Sequence, residues 1–503
     1  MTTATPAVLQ KPAESAPRSL PLRVAGGAGF VGCTLVLLGV ATRSSPFALK
    51  LPGAWFFGAP SNDGASATTS NAAFFGVILV YLGTGVMLAS WFELLRTLKR
   101  HPDIRVKRLV PIFIGWCVPV VLMPPIFSHD VYVYAAQGQM VDSGINPYLH
   151  GPQSLGGGAF LALVDPIWKR SISSYGPVWE RLSGWVVATS RHDVLASIVG
   201  FRLIALLGVV MIAWGVAELS RSSGRSGSVA FALAALNPLT LLILFGSSHN
   251  DALMVGLLIL GCVATRRDHP FLGLVVCAIA AQIKIPAILG DVYIGWWWST
   301  SVPEWRPRIE RILAAGAICI VWIVAIGAGA ELGWHWLKGL SNPGVVVSWL
   351  DPSTAVGLLL GHIAGAVGYA GHNGGFISAA RIAGLCAAAV ISLVLLLRSE
   401  RSDPYFALGW SLLAIALLGP DIWPWYETWG IVVLAVTADR WTLRIVIALS
   451  AEACFTDFPT GELLRAPHEL VTIVCWTALL GAAVLYGSLR LLPNRRRLPT
   501  RSG

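Results

Sequence analysis

Long apolar runs, separated by short polar segments, recur from about residue 24 to beyond residue 470. Only 12% of the 503 residues are charged, whereas soluble globular proteins carry about 25%. An ionisable side chain at the centre of a bilayer costs at least about 2.5–3.5 kcal/mol, so a chain that crosses lipid repeatedly must be poor in charge. The runs therefore predict an all-α polytopic membrane protein.

The number of crossings follows from the lengths of these runs, because each crossing needs about 20 residues. About 12–14 crossings fit the chain on this basis. The first run, about 24–42, is expected to be a retained helix, because residues 43–46 lack a small-residue cleavage site. The runs on either side of Lys284 are too short for two clean crossings, which predicts a broken or tilted segment. After the first run, candidate crossings begin near Ala73, Arg108, Ala196, Val229, Asp251, Phe271, Ile285, Ile312, Phe376, Tyr405, Glu427, Trp441 and Leu470.

Basic residues predict the orientation, because Lys and Arg concentrate in cytoplasmic loops. Alternating the crossings places every basic loop on one side, so both termini are expected in the cytoplasm of a protein of the plasma membrane. These loops are 96–108, 221–225, 266–267, 306–311 and 398–401. We expect a disordered terminus at 1–22, a transmembrane catalytic domain at 23–489 with outer loops at 128–195 and 331–375, and a basic tail at 490–503.

The net charge of +10 is read as a topology signal, since the basic residues lie in short loops and no nucleic-acid-binding module is visible. We therefore expect membrane lipids, and no nucleic acid, as partners. The chain also lacks the phosphate-binding loop, the dinucleotide fingerprint and the HExxH and GxSxG motifs. The missing nucleotide-binding signature argues against a nucleotide-linked donor bound in the cytosol, and a lipid-phosphate carrier could instead deliver a donor laterally through the membrane.

The most informative motif lies where a predicted crossing leaves the membrane, and it reads Phe-Ser-His-Asp-Val-Tyr-Val-Tyr-Ala-Ala-Gln-Gly over residues 127–138. If 130–140 is helical, Asp130, Tyr134 and Gln137 share one face. An acidic group at this depth needs a partner or a function. The alternative is that Asp130 only caps a helix. His129 and Tyr132 complete the candidate substrate-binding residues of this motif.

Further polar and aromatic groups interrupt the apolar runs on the same predicted side. Tyr175 lies in a Tyr-Gly-Pro turn, and an aromatic face can stack on a sugar. His249, Asn250 and Asp251 form a polar junction between two crossings, which can bind substrate or simply cap a helix. Two more candidates, Trp425 and Tyr426, lie in the aromatic segment 419–427. An interfacial aromatic belt is the alternative explanation for the tyrosines and tryptophans.

Two cations lie within apolar runs. Lys284 is a candidate ligand for a lipid-linked phosphate, because an ammonium is a good point-charge partner for phosphate. The alternative is snorkelling of its long side chain toward the membrane surface. Arg202 is a second candidate, with a stronger structural alternative.

Together these motifs resemble the GT-C superfamily of multi-helix, lipid-phosphate-sugar-dependent glycosyltransferases. The motif at 127–138, with Asn146-Pro147-Tyr148, Tyr175-Gly176-Pro177 and His249-Asn250-Asp251, more closely resembles the actinobacterial α-(1→6)-mannopyranosyltransferases of the MptA/MptB type. The resemblance covers about residues 75–490. It implies a GT-C-type bundle whose outer loops carry short amphipathic helices. Where family members often carry Arg, this chain has His129, and residues 352–376 match no recognisable part of the family.

The resemblance implies transfer of mannose from polyprenyl-phosphate mannose to an α-(1→6)-mannan acceptor, the core of lipomannan and lipoarabinomannan, on the outer face of the membrane. It also implies one essential carboxylate, Asp130, which would act as general base in an inverting reaction. We expect Lys284 to be the leading phosphate partner, with Arg202 and His249 in reserve, and we expect no metal or other cofactor. Two alternatives remain at this point: a GT-C enzyme for another lipid-linked sugar, such as arabinose or glucose, and a lipid or sugar transporter.

Overall fold

The computed structural model describes residues 20–42, 71–340, 346–368, 374–437 and 439–456. Over these residues the chain is helical and contains no strand. The basic tail predicted at 490–503, the crossing predicted near Leu470 and most of the segment 1–22 lie outside them. The helices are α1 Leu20–Val40, α2 Asn71–Arg100, α3 Val110–Leu122, α4 Asp130–Asp142, α5 Ala159–Leu163, α6 Pro177–Thr189, α7 Val194–Ser222, α8 Gly227–Ala234, α9 Asp251–Arg266, α10 Pro270–Ala281, α11 Ile288–Thr300, α12 Trp305–Gly329, α13 Trp336–Gly339, α14 Pro352–Ala366, α15 Gly374–Arg398, α16 Pro404–Leu418, α17 Pro424–Thr437 and α18 Arg440–Thr456.

Several of these helices are long and apolar enough to span a bilayer. In the described part of the chain five qualify: α1, α2 from Phe75, α7, α12 and α15. A sixth span is formed if the π-helical segment Thr240–Gly246 and α9, which meet at a bend of 111°, are counted as one. Helices α3, α10, α14 and α16 are apolar but shorter. The fold is thus an all-α polytopic membrane protein, as the sequence predicts, whereas the count of about 12–14 crossings stays a prediction.

The basic loops come together at one end of the bundle, which we call the basic end. Helices α7, α9 and α15 end there, while α16 starts there, so the side chains of distant loops meet. Polar contacts across this end connect α7 to the loop after α9, the loop after α7 to the start of α16, and α12 to the turn after α15. The ion pairs are Arg267–Glu218 at 2.8 Å, Arg225–Asp403 and Arg308–Glu400 at 3.2 Å. This common location is what the predicted topology requires.

The opposite end of the bundle contains the polar segments that connect the apolar helices. Because α9 runs from Asp251 to the basic end over 16 residues, its start lies about 24 Å away from that end. The segments that follow α10 and α16 lie at the same end, since both helices start from the basic one. The candidate residues of these three segments therefore lie at one end of the bundle.

The predicted loops at this opposite end contain helices, as the family resemblance implies. The loop 128–195 contains α4 and α6, which pack so closely that a Cβ at Gly138 would collide with the carbonyl group of Ser183. The predicted loop 331–375 contains α13 and α14 and the first residues of α15. Helix α14 is apolar and exposes Leu359 and Ile363, so this stretch is not a simple polar loop. The glycine-rich composition of this stretch obscured the helix, although a proline at the first helical position is typical of a helix start.

Candidate active site

Asp130 is the first residue of α4, and its carboxylate turns into the protein. Its Oδ2 accepts hydrogen bonds from the hydroxyl groups of Tyr134 at 3.3 Å and Tyr175 at 3.5 Å. The residue before the helix, His129, makes no capping hydrogen bond. The interpretation of Asp130 as a simple helix cap is therefore wrong, because its carboxylate bonds to tyrosine side chains.

The two tyrosines are themselves fixed by packing. Tyr134, one turn along α4 from Asp130, has its ring 4.9 Å from that of Trp179 and 5.1 Å from that of Tyr175, both edge to face. The Tyr134 hydroxyl also lies 3.3 Å from Oδ1 of Asn250. A hydroxyl has one hydrogen to donate, so Tyr134 can donate its hydrogen bond either to Asp130 or to Asn250.

The electrostatic environment of Asp130 makes its carboxylate more basic than an ordinary aspartate. Burial raises the pKa of Asp130 to about 6, although the nearby Lys284 ammonium and the hydrogen bond from Tyr134 oppose the shift. The negative charge of Asp251 raises the pKa further. A general base works best when its pKa lies near the operating pH, so the shift moves Asp130 toward that task.

The junction at 247–251 is a sharp turn that brings His249 to Asp130 and Asn250 to Tyr134. The chain turns there with a positive φ of 60° at Ser248. His249 Nδ1 lies 3.6 Å from Oδ2 of Asp130. Both ring nitrogens of the fully buried His249, and Nδ2 of Asn250, have no hydrogen-bond partner within the protein. Asn250 does not cap α9 with its side chain, so that alternative is wrong. Buried donors and acceptors without partners indicate a place for a polar ligand or water.

Lys284 lies in the break between α10 and α11, as the sequence predicts. Its Nζ donates to both carboxylate oxygens of Asp251 at 3.0 Å, and the indole of Trp429 donates to the same carboxylate. The ammonium also lies 4.4 Å from the ring centroid of Tyr426, a cation–π distance. Snorkelling toward the membrane surface is thus the wrong explanation, since the ammonium is bound inside the protein.

Tyr175 joins the carboxylate of Asp130 to the ammonium of Lys284. Its hydroxyl contacts Asp130, and its ring centroid lies 6.0 Å from Nζ of Lys284. The backbone explains this position: Gly176 donates its N–H to the carbonyl of Ile283 at 3.1 Å, and a Cβ at Gly176 would collide with the backbone of Gln282. The glycine of the Tyr-Gly-Pro motif therefore allows the backbone to lie close to Gln282 and Ile283. This close approach places Tyr175 beside Lys284.

A row of stacked aromatic rings leads away from Asp130. The ring of His249 stacks on Trp425 at 4.1 Å, and Trp425 stacks on Trp423 at 4.9 Å. At the far end, the indole of Trp423 donates to Oδ2 of Asp421 at 2.7 Å. We call this set the aromatic row.

Four of the predicted residues do not join this cluster through their polar groups. His129 turns toward Asp165, with 3.7 Å between its Nδ1 and the carboxylate. The hydroxyl of Tyr132 and Oε1 of Gln137 are buried without a hydrogen-bond partner. Arg202, which is 2% exposed, binds backbone carbonyls, among them that of Gly246 at 2.7 Å. Its guanidinium thus connects the end of α3 to the bend before α9 by hydrogen bonds to backbone carbonyls. These contacts favour a role for Arg202 in stabilising the fold.

Comparison with known sequences identifies the family. A family model matches residues 27–300, which are more than half of the chain. Its description is alpha-(1->6)-mannopyranosyltransferase, N-terminal domain. The chain belongs to the MptA/MptB family of alpha-(1->6)-mannopyranosyltransferases. It is accordingly a multi-pass membrane glycosyltransferase, and the transporter alternative is wrong. The MptB C-terminal domain model matches residues 353–487, so the expectation that 352–376 match no part of the family is wrong as well.

Individual relatives agree with this assignment. Alpha-(1->6)-mannopyranosyltransferase A of Mycobacterium tuberculosis is 31% identical over 435 residues, which cover 83% of this chain and 82% of the relative. Alpha-(1->6)-mannopyranosyltransferase B of Corynebacterium glutamicum is 28% identical over 442 residues, which cover 81% of this chain and 73% of the relative. Both types thus occur among the similar proteins.

Sequence reasoning missed the partners supplied by α17 and the turn before it. Trp429 fixes Asp251, and Trp423 and Asp421 extend the aromatic row. A signal for Trp429 was present, because positions 425, 426 and 429 fall on one helix face. No such signal paired Lys284 with Asp251. Among the residues that the structure describes, no group of three or more His, Cys, Asp or Glu side chains is placed to hold a metal ion.

Proposed function

We propose that this protein transfers mannose from polyprenyl-phosphate mannose to an α-(1→6)-linked mannan acceptor of the lipomannan and lipoarabinomannan type. One observation carries the proposal: a single side chain, Tyr175, contacts the carboxylate of Asp130 through its hydroxyl and the ammonium of Lys284 through its ring. A base and a cation on either side of one tyrosine supply the two groups that displacement of a phosphate by a hydroxyl needs.

In the proposed step, the 6-hydroxyl oxygen of the acceptor attacks C1 of the mannosyl group. The bond between C1 and the phosphate oxygen breaks, polyprenyl phosphate leaves with the electron pair, and the hydroxyl proton passes to Asp130. A single displacement converts a β-linked donor into an α-linked product. Asp130 therefore serves as the general base of an inverting transfer.

The leaving phosphate is assigned to the ammonium of Lys284. An ammonium has three N–H donors, of which Asp251 takes two, so one remains for a phosphate oxygen. His249 and Asn250 present their unpaired ring nitrogens and amide to the same space and are assigned to substrate hydroxyls or phosphate. With Lys284 supplying the positive charge, the proposed reaction requires no metal ion.

The proposed location is the outer face of the plasma membrane. The basic end contains the loops expected in the cytoplasm, and the site lies at the opposite end. A lipid-linked donor reaches that end by moving laterally in the bilayer. Both chain termini are proposed to be cytoplasmic.

The proposal is tested with the purified full-length protein, polyprenyl-phosphate mannose and a synthetic α-(1→6)-dimannoside. The expected product is a trimannoside with a new α-(1→6) linkage, formed by the wild type and not by Asp130→Asn. Transfer of arabinose or glucose from the corresponding lipid donors, with none from the mannose donor, would overturn the assignment of the sugar.

A further inference from the structure

The turn that carries Asp421 is held rigidly against α14. Three hydrogen bonds fix it: Asp351 accepts from the N–H of Ile422 at 2.7 Å, and the hydroxyl groups of Ser353 and Thr354 donate to backbone carbonyls of the turn at 2.6 and 2.9 Å. A turn fixed in this way presents its side chains in one geometry, which a binding site requires.

Asp421 is a buried acceptor that the protein satisfies only in part. The residue is 4% exposed, and its Oδ2 accepts from the indole of Trp423. Its other oxygen, Oδ1, is buried without a hydrogen-bond partner. A buried carboxylate oxygen without a donor is costly, so the site favours a ligand that brings hydroxyl or N–H donors.

The neighbouring ring defines what else the ligand must offer. Trp425 covers one face of Trp423, and the residue Trp423 remains partly exposed. An apolar ring face beside a carboxylate suits a neutral polyol, whose C–H groups pack on the ring while its hydroxyls donate to the carboxylate.

The aromatic row fixes where this position lies relative to the chemistry. Trp423 is separated from His249, which contacts Asp130, by the intervening ring of Trp425. Asp421 is therefore displaced from the reacting hydroxyl and cannot take its proton directly. Asp421 is therefore placed to contact a sugar unit of the acceptor other than the one that reacts.

We infer that Asp421 and Trp423 form a second sugar subsite, which binds a pyranose unit of the acceptor adjacent to the unit that is mannosylated. This inference rests on the proposed function and adds to it a preference for acceptors of two or more units. Trp423 stacks on the pyranose ring, and Oδ1 of Asp421 accepts from its hydroxyl groups.

The test compares two acceptors with the same aglycone, an α-mannoside and an α-(1→6)-dimannoside. The measured quantity is the ratio of kcat/KM for the dimannoside to kcat/KM for the mannoside. In Asp421→Asn and Trp423→Leu the ratio is expected to fall about tenfold or more, the size of effect produced by losing a hydrogen bond to a charged group. Trp423→Phe keeps a ring face and is expected to lose less. The matched control is Trp349→Leu, an exposed tryptophan outside the aromatic row, whose ratio should equal that of the wild type.

An unchanged ratio in both variants, or an equal loss with both acceptors, would overturn the subsite. Calorimetric titration of each acceptor without donor gives a second readout, which does not depend on transfer. There, the wild type should bind the dimannoside more tightly than the mannoside, and Asp421→Asn should remove the difference. Equal binding of both acceptors by the wild type would overturn the subsite, whereas absence of any product from the mannose donor would contradict only the proposed function.

Discussion

Asp251 holds the ammonium of Lys284 with both carboxylate oxygens, each 3.0 Å from Nζ, across 33 residues of sequence. The pair is buried, with Asp251 fully inaccessible to solvent. Buried ion pairs contribute little net stability, because desolvation offsets their attraction. The pair is better explained as a device that positions a cation beside Asp130.

Breaking this pair should separate stability from activity. Lys284→Met and Asp251→Asn each leave one buried charged group without its partner, so we expect each to lower the free energy of unfolding by about 3–5 kcal/mol. The double variant Lys284→Met/Asp251→Leu should recover most of that loss and yet transfer no mannose. Thermal unfolding in detergent and the transfer rate are the measurements. Wild-type transfer by the double variant would show that the pair has no part in the reaction.

Removing the basic carboxylate should abolish transfer without unfolding the protein. Asp130→Asn keeps the size and much of the hydrogen bonding of the side chain, and we expect transfer to slow at least about 100-fold. Asp130→Glu should also be slow, because one methylene displaces the carboxylate in a site that depends on alignment. Rates, donor binding and thermal stability are compared for the purified variants. Near-normal turnover of Asp130→Asn would move the base to Asp251, the other carboxylate whose charge acts on Asp130.

The rate should fall at acid pH. The pKa of Asp130 is raised to about 6, so the carboxylate becomes protonated, and loses its function as a base, below that pH. We expect kcat/KM to fall roughly tenfold for each pH unit below about 6, as measured from pH 4.5 to 8. Burial raises the pKa of Asp421 to about 6 as well. The profile of Asp421→Asn therefore serves as the control, and it should keep the acid limb if Asp130 causes it.

The proposed orientation predicts opposite labelling of two exposed positions. A cysteine introduced at Ser154 should react with a membrane-impermeant reagent added to intact cells. A cysteine introduced at Asp103 should react only after the cells are permeabilised. The exposed native Cys386 lies in the middle of the spanning helix α15, so the impermeant reagent should not label it. Labelling with the reverse sidedness would place the site in the cytoplasm and contradict the use of an outer acceptor.

Chelation should leave the reaction unchanged. Because Lys284 is assigned to the departing phosphate, we expect the transfer rate in excess EDTA to equal the untreated rate, measured after dialysis against the chelator. Loss of activity that Mg²⁺ or Mn²⁺ restores would show that a metal ion neutralises the phosphate instead.

Local spacing was enough to predict some of this site. Asp130 and Tyr134 are one helical turn apart, so a helix alone brings them together, and a cation inside an apolar run marked the break at Lys284. The pairing of Lys284 with Asp251 was not predictable. The sequence shows each polar segment between apolar runs, but tertiary packing determines which of these segments lie next to each other.

The same distinction explains Arg202 and the number of crossings. A cation in an apolar run looks functional in the sequence, yet Arg202 binds carbonyl groups that the bend before α9 and the end of α3 leave without helical partners. The sequence marks the polar junction at this bend as a break between two crossings, but hydropathy does not give the angle of 111° at which the two segments meet. Counting crossings from apolar runs therefore treats bent and straight segments alike.

The contact between Trp429 and Asp251 joins residues 178 positions apart. During synthesis, the chain that has emerged from the ribosome through α12 already contains Asp130, Asp251 and Lys284 but lacks Trp425, Tyr426 and Trp429. The ion pair is then without its indole donor, and His249 has no ring to stack on. Under the proposed assignment of the site, a nascent chain therefore cannot transfer sugar until α17 has been inserted.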